Sequence, residues 1–348
     1  MDLQIFWFLV IAFFWVGYFV LEGFDFGVGM LLPFVGKNER DRHVMLETIG
    51  PVWDGNEVWL VIAAGATFAA FPTWYGTMFS GFYLALLLVL VLLILRVVSF
   101  EWRSKSDNPR WRSAWFGANI VASVGAPFIW GVALANLVRG VPLDSDGHYA
   151  GDFADLFSAY TVFAGIATVG LFAFHGAAFL TLRLHEPLRA RAGGAARALS
   201  LPAAALCVAL VGWTVWIAID RNEKDLFPPV VPAAVAVAAF ALAVLFVRSR
   251  REAWAFAATA VGIAAAVATI FTGLYPRVLV SSPNFANSLT IDNASSSHYA
   301  LGVMTVAALI LTPLILLYEG WTYYVFRARL KGEDVGERID LAPRRTGA

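Results

Sequence analysis

The sequence is poor in charged residues, in cysteine and in histidine. Only 14% of its 348 residues are charged and 59% are hydrophobic, whereas a soluble chain has about 25% charged and about 45–50% apolar residues. An ordinary soluble domain is therefore excluded. The single cysteine, Cys207, excludes an intramolecular disulfide and an iron–sulfur cluster held by this chain alone, which needs several thiolates. The formal net charge is zero, so the composition gives no indication of nucleic-acid binding.

The hydrophobic residues form long runs such as Leu84–Leu95. A transmembrane helix needs about 20 mostly apolar residues, and the strands of an outer-membrane barrel would instead alternate in polarity over about ten residues. The runs do not alternate, so they predict an all-α integral membrane protein, a single polytopic domain over residues 1–348. We predict nine spans: Ile5–Phe34, Thr48–Phe71, Thr77–Val98, Trp115–Leu137, Phe157–Leu182, Ala198–Ile219, Pro228–Val247, Trp254–Leu274 and His298–Tyr324.

These spans fall into three groups along the chain. Spans 1–4 cover about residues 5–137, spans 5–8 cover about 157–274, and span 9 covers about 298–324, followed by a tail over 325–348. Lysine and arginine are concentrated in alternate loops: 20 lie in the first, third, fifth and seventh loops and the tail, and four lie in the other loops. Because cytoplasmic loops carry the excess of positive charge, the N-terminus is predicted outside and the tail in the cytoplasm.

Five ionisable residues lie within the first three predicted spans. Intramembrane charges are costly and are the default candidates for function. Asp25 is about 30 Å along span 1, Asp54 is about 9 Å into span 2, and Arg96 is about 29 Å along span 3, at 1.5 Å per residue. We therefore expect all five to lie in the cytoplasmic third of the membrane; they are Glu22, Asp25, Asp54, Glu57 and Arg96.

Two interpretations of this group are open. In the first, Arg96 neutralises Asp25 or Asp54, and the resulting salt bridge joins three helices. In the second, the excess of four acids over one base matters: unless a partner supplies cations, at least one acid holds or readily exchanges a proton, because burial penalises the charged form. A protonatable acid at the cytoplasmic end of a bundle suits a proton-uptake route.

The histidines argue against a haem in this chain. His43, His148, His185 and His298 fall in loops or at span ends, and only His175 lies well inside a span. Bis-histidine haem sites and a haem–copper core need several intramembrane histidines, so we expect any redox centre in another chain. We expect no metal site, because no motif has metal-ligand spacing.

Three blocks in the first third of the chain resemble subunit II of the cytochrome bd-type quinol oxidases. Of these, Trp53-Asp54-Gly55-Asn56 is the most specific single signal. Asn287-Ser-Leu-Thr290 and Asp292 before span 9 fit the same family, and the resemblance extends over nearly the whole chain in length and helix count. The blocks are Gly23–Pro33, Ile49–Trp59, and Phe79–Tyr83 with Arg96 and Phe100–Lys105.

The resemblance implies an enzyme that oxidises a membrane quinol at the outer face and reduces O₂ to water with cytoplasmic protons, electrogenic without a pump. It implies a bacterial inner-membrane location and a heterodimer in which subunit I carries two b-type haems and one d-type haem. It further implies that subunit II is haem-free, with two four-helix bundles plus one peripheral helix, and it allows a small single-helix accessory subunit.

The resemblance also implies roles for particular residues. Trp53 and Asp54 match a position associated with proton delivery and with a structural quinone. Asp25 and Arg96 match buried charges that support the subunit interface and the haem environment. Water and protons would enter beside Asp54 and Glu57. Two other functions compete: a proton- or ion-coupled secondary transporter, and a purely structural scaffold for a haem-bearing neighbour.

Overall fold

The computed structural model describes residues 2–223 and 225–330. Its regular structure is almost entirely α-helical, with one short antiparallel pair of strands, β1 (Arg277–Leu279) and β2 (Leu289–Thr290). Residues 331–348 of the predicted tail lie outside the described residues. The helices are α1 (Leu3–Val35), α2 (Glu39–Glu47), α3 (Trp53–Ala70), α4 (Pro72–Gly81), α5 (Tyr83–Trp102), α6 (Pro109–Arg139), α7 (Ala159–Arg183), α8 (Leu188–Asp220), α9 (Phe227–Arg248), α10 (Glu252–Leu274) and α11 (His298–Val325).

Eight of these helices are long and apolar enough to cross a membrane, counting within the described residues. They are α1 and α5–α11. A ninth crossing depends on α3 and α4, which satisfy the same criterion only together and meet at an angle of 120°. The chain is therefore a multi-pass α-helical membrane protein.

The bend between α3 and α4 corrects the predicted boundaries of spans 2 and 3. Span 3 was predicted to begin at Thr77, but Thr77–Gly81 belongs to α4, and α5 begins at Tyr83. Proline is tolerated in the first turn of a helix, but it interrupts a helix when it lies in the interior. Pro72 occupies that first position in α4, so α3 ends at Ala70 and a new helix begins in another direction.

The segment between α1 and α3 was also predicted incorrectly. Glu39–Glu47, which was predicted as loop, forms α2. Asn38 caps the start of this helix, because its side-chain Oδ1 accepts a hydrogen bond from Asp41 N at 2.8 Å. Predicted span 2 therefore begins later, at Trp53. The sequence of α2 is polar, so apolar runs do not indicate this helix.

Spans 4 and 6 are longer than predicted at the end rich in arginine. α6 begins at Pro109 after an Asn108 cap, and α8 begins at Leu188. The added segment of α8, residues 188–197, is about three turns long. It contains two glycines, but alanine and arginine, which have high helix propensity, form most of it. A hydropathy criterion stops at the charges, whereas the helix continues through them.

Hydrogen bonds and ion pairs between loops define two ends of the molecule. At one end Val141 N donates to Val280 O at 3.0 Å, Thr77 Oγ1 donates to Gly147 O at 2.9 Å, and Ser296 N donates to Ala70 O at 2.8 Å. We call this the hairpin end, because β1 and β2 lie there. These loops are the ones with few basic residues.

The opposite end, which we call the basic end, gathers the arginine-rich segments. Arg191 Nη1 donates to Val35 O at 2.7 Å and to Asp41 Oδ2 at 2.8 Å, which joins α8 to α1 and α2. Arg189 and Arg329 both bind Glu252. The alternation of basic and non-basic loops in the sequence thus corresponds to two opposite ends in the structure.

α1 is the central helix of the packing. It contacts α3, α6, α7 and α10, while α5 packs on α6 and α7–α10 pack on one another. Glycine makes the closest crossing possible: a Cβ on Gly27 would lie 2.0 Å from Phe172 O, and one on Gly176 would lie 2.5 Å from the Gly27 carbonyl carbon. Among the described residues α11 packs mainly on α1 and α3, and it is largely exposed in this chain.

Candidate functional site: a buried charge cluster

Arg96 on α5 is the centre of a group of charged residues inside the bundle. Its side chain is fully buried and forms an ion pair with Glu22 of α1. The same Nη1 atom lies 3.5 Å from Glu57 Oε1 of α3. The guanidinium also stands over the Phe26 ring, 4.5 Å from its centroid, so one arginine joins three helices through charge and ring contacts.

Asp25 occupies a second position beside this arginine. Asn56 of α3 donates to Asp25 Oδ2 at 2.7 Å, and the Tyr323 hydroxyl of α11 donates to Asn56 Oδ1 at 2.6 Å. Asp25 is fully buried. We call Glu22, Asp25, Glu57 and Arg96 the charge cluster; it contains three acids and one base.

The charge cluster is not saturated with hydrogen bonds. Five of its buried atoms have no hydrogen-bond partner among the described residues: Glu22 Oε2, Asp25 Oδ1, Glu57 Oε1, Arg96 Nε and Arg96 Nη2. Buried polar atoms in proteins are nearly always paired. The cluster therefore has capacity for further partners, such as protons and water.

The structure separates Asp54 from the other acids. Asp54 is exposed in the first turn of α3, while Glu57, one turn further, is 22% exposed. Trp53 is half-buried, with its ring 6.0 Å from that of Phe100 in an edge-to-face contact. Exposure thus decreases from Asp54 through Glu57 to the fully buried Asp25.

The expected pairing of Arg96 is incorrect in detail. Arg96 contacts Glu22 and Glu57 rather than Asp25 or Asp54. Glu22 and Asp25 are three residues apart on α1 and share a face, but Asp25 is bonded to Asn56 of α3. Asp54 faces out of the bundle, whereas Asn56 in the same first turn of α3 faces inward and is fully buried.

Sequence reasoning missed several polar members of this region. Glu319 of α11 is buried to 7% exposure, and a Cβ on Gly55 would lie 2.6 Å from its Oε1. Asn119 of α6 donates to Ser99 Oγ at 2.8 Å, and Ser99 in turn donates to Arg96 O at 2.5 Å. The signal for Glu319 was available, since an acid within an apolar run is the criterion that identified the others.

His175 of α7 is engaged at both ring nitrogens. Nδ1 lies 2.7 Å from Thr259 Oγ1, and Nε2 lies 3.1 Å from Val20 O. Its ring stacks on Phe256 with centroids 4.7 Å apart. A ligand to haem iron needs a free ring nitrogen, so this geometry suits a packing residue rather than an axial ligand.

Fold and site together define a multi-pass helical membrane protein with a buried charge cluster toward its basic end. Comparison with known proteins identifies the family within this class. The family model for cytochrome bd terminal oxidase subunit II matches residues 3–326. The chain belongs to that family. It is thus a subunit of a terminal oxidase, an oxidoreductase of the respiratory chain.

Individual relatives agree with this assignment. The chain is 42% identical over 334 residues to cytochrome bd ubiquinol oxidase subunit 2 of Bacillus subtilis, covering 94% of this chain and 97% of that one. It is 35% identical over 366 residues to cytochrome bd-I ubiquinol oxidase subunit 2 of Escherichia coli, with 96% of each chain covered. The resemblance seen in the sequence is confirmed, and the transporter alternative is not favoured.

A solved structure shows the same fold. The bd oxidase from Geobacillus thermodenitrificans contains a chain similar to this one with a TM-score of 0.76. The match covers 99% of this chain and 100% of that chain at 19% sequence identity. At this level of identity the similarity concerns the fold alone.

Proposed function

We propose that this chain is the haem-free subunit II of a quinol oxidase and supplies a proton-uptake route to a haem-bearing subunit I. The complex oxidises a membrane quinol, whose protons leave at the outer face. O₂ is reduced to water with an equal number of electrons and cytoplasmic protons. Charge therefore crosses the membrane without a pump.

The observation that supports this proposal most directly is that solvent exposure decreases from one acid to the next. Asp54 is exposed, Glu57 is partly exposed, and Glu22 and Asp25 are fully buried beside Arg96. This order describes an inlet: protons are taken up from water at Asp54 and Glu57 and pass inward to acids whose charge is only partly compensated by one arginine. From there the route crosses to subunit I.

The topology that this route requires has nine spans, counting the bent α3–α4 pair as one. The N-terminus lies outside and the basic end faces the cytoplasm, as the excess of lysine and arginine favours. α1, α3, α5 and α6 form one four-helix bundle, α7–α10 form the second, and α11 is peripheral. The membrane is the bacterial inner membrane.

The haems, two b-type and one d-type, belong to subunit I in this proposal. Support comes from His175, whose two ring nitrogens are both engaged, and from the positions of the other histidines, which lie in loops, at the start of α11 or in the short polar helix α2. When bound in subunit I, the haems supply the electron transfer and the O₂ chemistry. The residues of this chain hold charge and move protons.

The remaining partners are assigned by surface chemistry. Trp53 presents a half-buried ring beside the exposed Asp54, a setting that suits the headgroup of a structural quinone. The exposed apolar faces of α3, α5 and α11 suit subunit I, lipid and a small single-helix accessory subunit.

The test compares Asp25→Asn and Asp54→Asn in the purified complex. Both substitutions keep the shape of the side chain and remove its proton-exchange chemistry, so we expect quinol-dependent O₂ turnover to fall at least about tenfold with haem content intact. Glu101→Gln is the matched control, since Glu101 is an exposed acid at the basic end of α5; its turnover should be unchanged.

Two results would contradict the proposal. Unchanged turnover in both aspartate variants, with haem present, removes them from the route. Loss of haem from the complex favours the alternative in which this chain is a structural scaffold.

A further inference from the structure

A polar cavity separate from the charge cluster lies at the basic end, on the side of the molecule formed by α7–α10. Its volume is about 270 Å³, and its walls come from all four of these helices and the turns that join them. Small side chains make the space; they are Ala178, Ala190, Gly193, Ala196 and Ala255. A Cβ on Gly193 would lie 3.6 Å from Arg197 Nη1. The Arg197 guanidinium therefore lies beside this glycine in the cavity wall.

The charge inside this cavity is predominantly positive. Arg189, Arg197 and Arg250 line it together with two acids, Glu186 and Glu252. Glu252 is already bound by two arginines. Arg189 reaches it with Nε at 2.8 Å and Nη2 at 2.9 Å, and Arg329 reaches it with Nη2 at 2.9 Å.

Two guanidinium groups in this cavity are left for a ligand. Within residues 2–223 and 225–330, neither Arg197 nor Arg250 forms an ion pair with an acid. Glu186 instead accepts from the Ala190 amide at 3.1 Å. Counting Arg329, four arginines face two acids, an excess that an anion would neutralise.

The backbone at Arg250 is unusual. Its φ is 57°, in the left-handed region that favours glycine. Turn geometry alone would therefore select glycine between α9 and α10. Arg250 nevertheless occupies this turn, and its side chain lies in the cavity wall.

The apolar surface below the cavity suits acyl chains. Leu201 lies one helical turn into the membrane from Arg197 and is 58% exposed, and Leu242 lies one turn from Phe246 and is 46% exposed. Trp254 is 63% exposed and its ring is 6.1 Å from that of Phe246. Exposed tryptophan beside arginine is typical of the depth of lipid headgroups.

We propose that this cavity binds a phosphate group, and that its source is the headgroup of an anionic phospholipid of the cytoplasmic leaflet. The guanidinium fork fits phosphate oxygens in pairs, and basic pockets between transmembrane helices at the cytoplasmic side bind such headgroups. Arg197 and Arg250 bind the phosphate directly. Arg189 and Arg329 position the wall through Glu252, and the acyl chains follow the surface at Leu201 and Leu242.

The experiment uses the delipidated oxidase complex in neutral detergent. It is titrated with short-chain phosphatidylglycerol, with phosphatidylcholine of the same chain length, and with inorganic phosphate, and bound ligand is counted by native mass spectrometry. We expect phosphatidylglycerol to bind at least about tenfold more tightly than phosphatidylcholine, because charge-assisted bonds to phosphate are the strong ones and the neutral headgroup brings a repelled ammonium.

Variants identify the site. Arg197→Ala with Arg250→Ala should weaken phosphatidylglycerol binding at least about tenfold, whereas Arg197→Lys with Arg250→Lys should weaken it less, because lysine keeps the positive charge and loses only the paired hydrogen bonds of the guanidinium fork. Arg110→Ala with Arg248→Ala is the matched control, since both arginines are exposed at the basic end and outside the cavity; its binding should stay within about twofold. Haem content and turnover establish that each complex is assembled.

Three outcomes decide the proposal. Binding of phosphatidylglycerol that requires Arg197 and Arg250 supports it. Binding of inorganic phosphate with the same requirement, without binding of the lipid, keeps the phosphate site and overturns the lipid source. Equal loss in the control pair, or equal binding of phosphatidylcholine, overturns the site itself, and none of these results depends on the proton route.

Discussion

At the scale of single residues, Arg96 is the most constrained side chain of the site. It is fully buried and paired with Glu22 and Glu57. Removing one partner of a buried ion pair leaves an uncompensated charge, which costs about 3–5 kcal/mol. We expect Arg96→Gln to lower the thermal stability and yield of the assembled complex strongly, as measured by scanning fluorimetry and haem recovery.

Arg103, which directly follows α5, is the matched control for Arg96. Arg103 pairs with Glu39; the Arg103 side chain is 12% exposed, but Glu39 is 51% exposed. Water therefore screens this pair, and pairs at the surface contribute about 0–1 kcal/mol. Partial burial would raise the pKa of Glu39, yet its bonds from Arg103 and Arg42 outweigh burial and lower it. Arg103→Gln should leave stability nearly unchanged; equal losses in both variants would contradict a special role for burial at Arg96.

The hydrogen bonds around Asp25 allow a graded comparison. Tyr323→Phe removes one donor to Asn56 and should cost about 0.5–1.5 kcal/mol. Asn56→Ala removes the donor to Asp25 itself and leaves a buried carboxylate oxygen without its partner, so we expect about 1–3 kcal/mol. The order of the two losses in denaturation of the complex is the test, and a larger loss for Tyr323→Phe would be the contrary result.

The residues of this site were only partly predictable. That Glu22, Asp25, Glu57 and Arg96 lie near one another follows from their depth in alternating spans. Which acid contacts Arg96 does not follow, because it depends on helix rotation, and helix rotation is set by packing between helices. Asp54 illustrates the limit: its depth is similar to that of Glu57, but it faces outward.

At the scale of helices, the crossing of α1 and α7 depends on two glycines. A Cβ on Gly27 would lie 2.0 Å from a backbone oxygen, that of Phe172. Backbone cannot rotate away as a side chain can, so Gly27→Ala forces the helices apart and should destabilise by about 1–3 kcal/mol. Gly65→Ala is the control, since no heavy atom lies within 4 Å of the added methyl group.

The measurement for this pair is thermal unfolding of the two complexes side by side. Gly65→Ala should be neutral or slightly stabilising, because alanine is the better helix former. A neutral Gly27→Ala would show that α1 and α7 are less closely packed than the structure indicates.

Helix boundaries were predicted well where the helix ends together with its apolar run. They were predicted poorly where proline or helix propensity sets the boundary. α7 and α11 differ from their predicted spans by two residues or fewer at each end. The errors occur at α2, whose sequence is polar, at Pro72, where proline begins a new helix, and at the starts of α6 and α8, where the helix continues through arginines. Hydropathy measures transfer into lipid, and none of these effects belongs to that quantity.

At the scale of the whole molecule, the arrangement of two ends makes the topology testable. Ser145 lies in the loop of the hairpin end, and Asp107 lies between α5 and α6 at the basic end; both are exposed. Cys207 is buried at 2% exposure, so Cys207→Ser provides a background without reactive thiol. On it, Ser145→Cys and Asp107→Cys each introduce one accessible cysteine, and a variant with neither is the control for background labelling.

The orientation of the two ends in the membrane decides the expected result. Asp107 lies at the basic end with α2, Ser145 lies at the hairpin end, and the proposed topology places the basic end in the cytoplasm. A membrane-impermeant maleimide applied to spheroplasts should then label Ser145→Cys and reach Asp107→Cys only after the membrane is opened. If the basic end instead faced outward, Asp107→Cys would be labelled in intact spheroplasts and Ser145→Cys only after the membrane is opened. The cytoplasmic inlet at Asp54 depends on the first pattern, because α2, the start of α3 and the arginine-rich loops share the basic end, and only that pattern places this end in the cytoplasm.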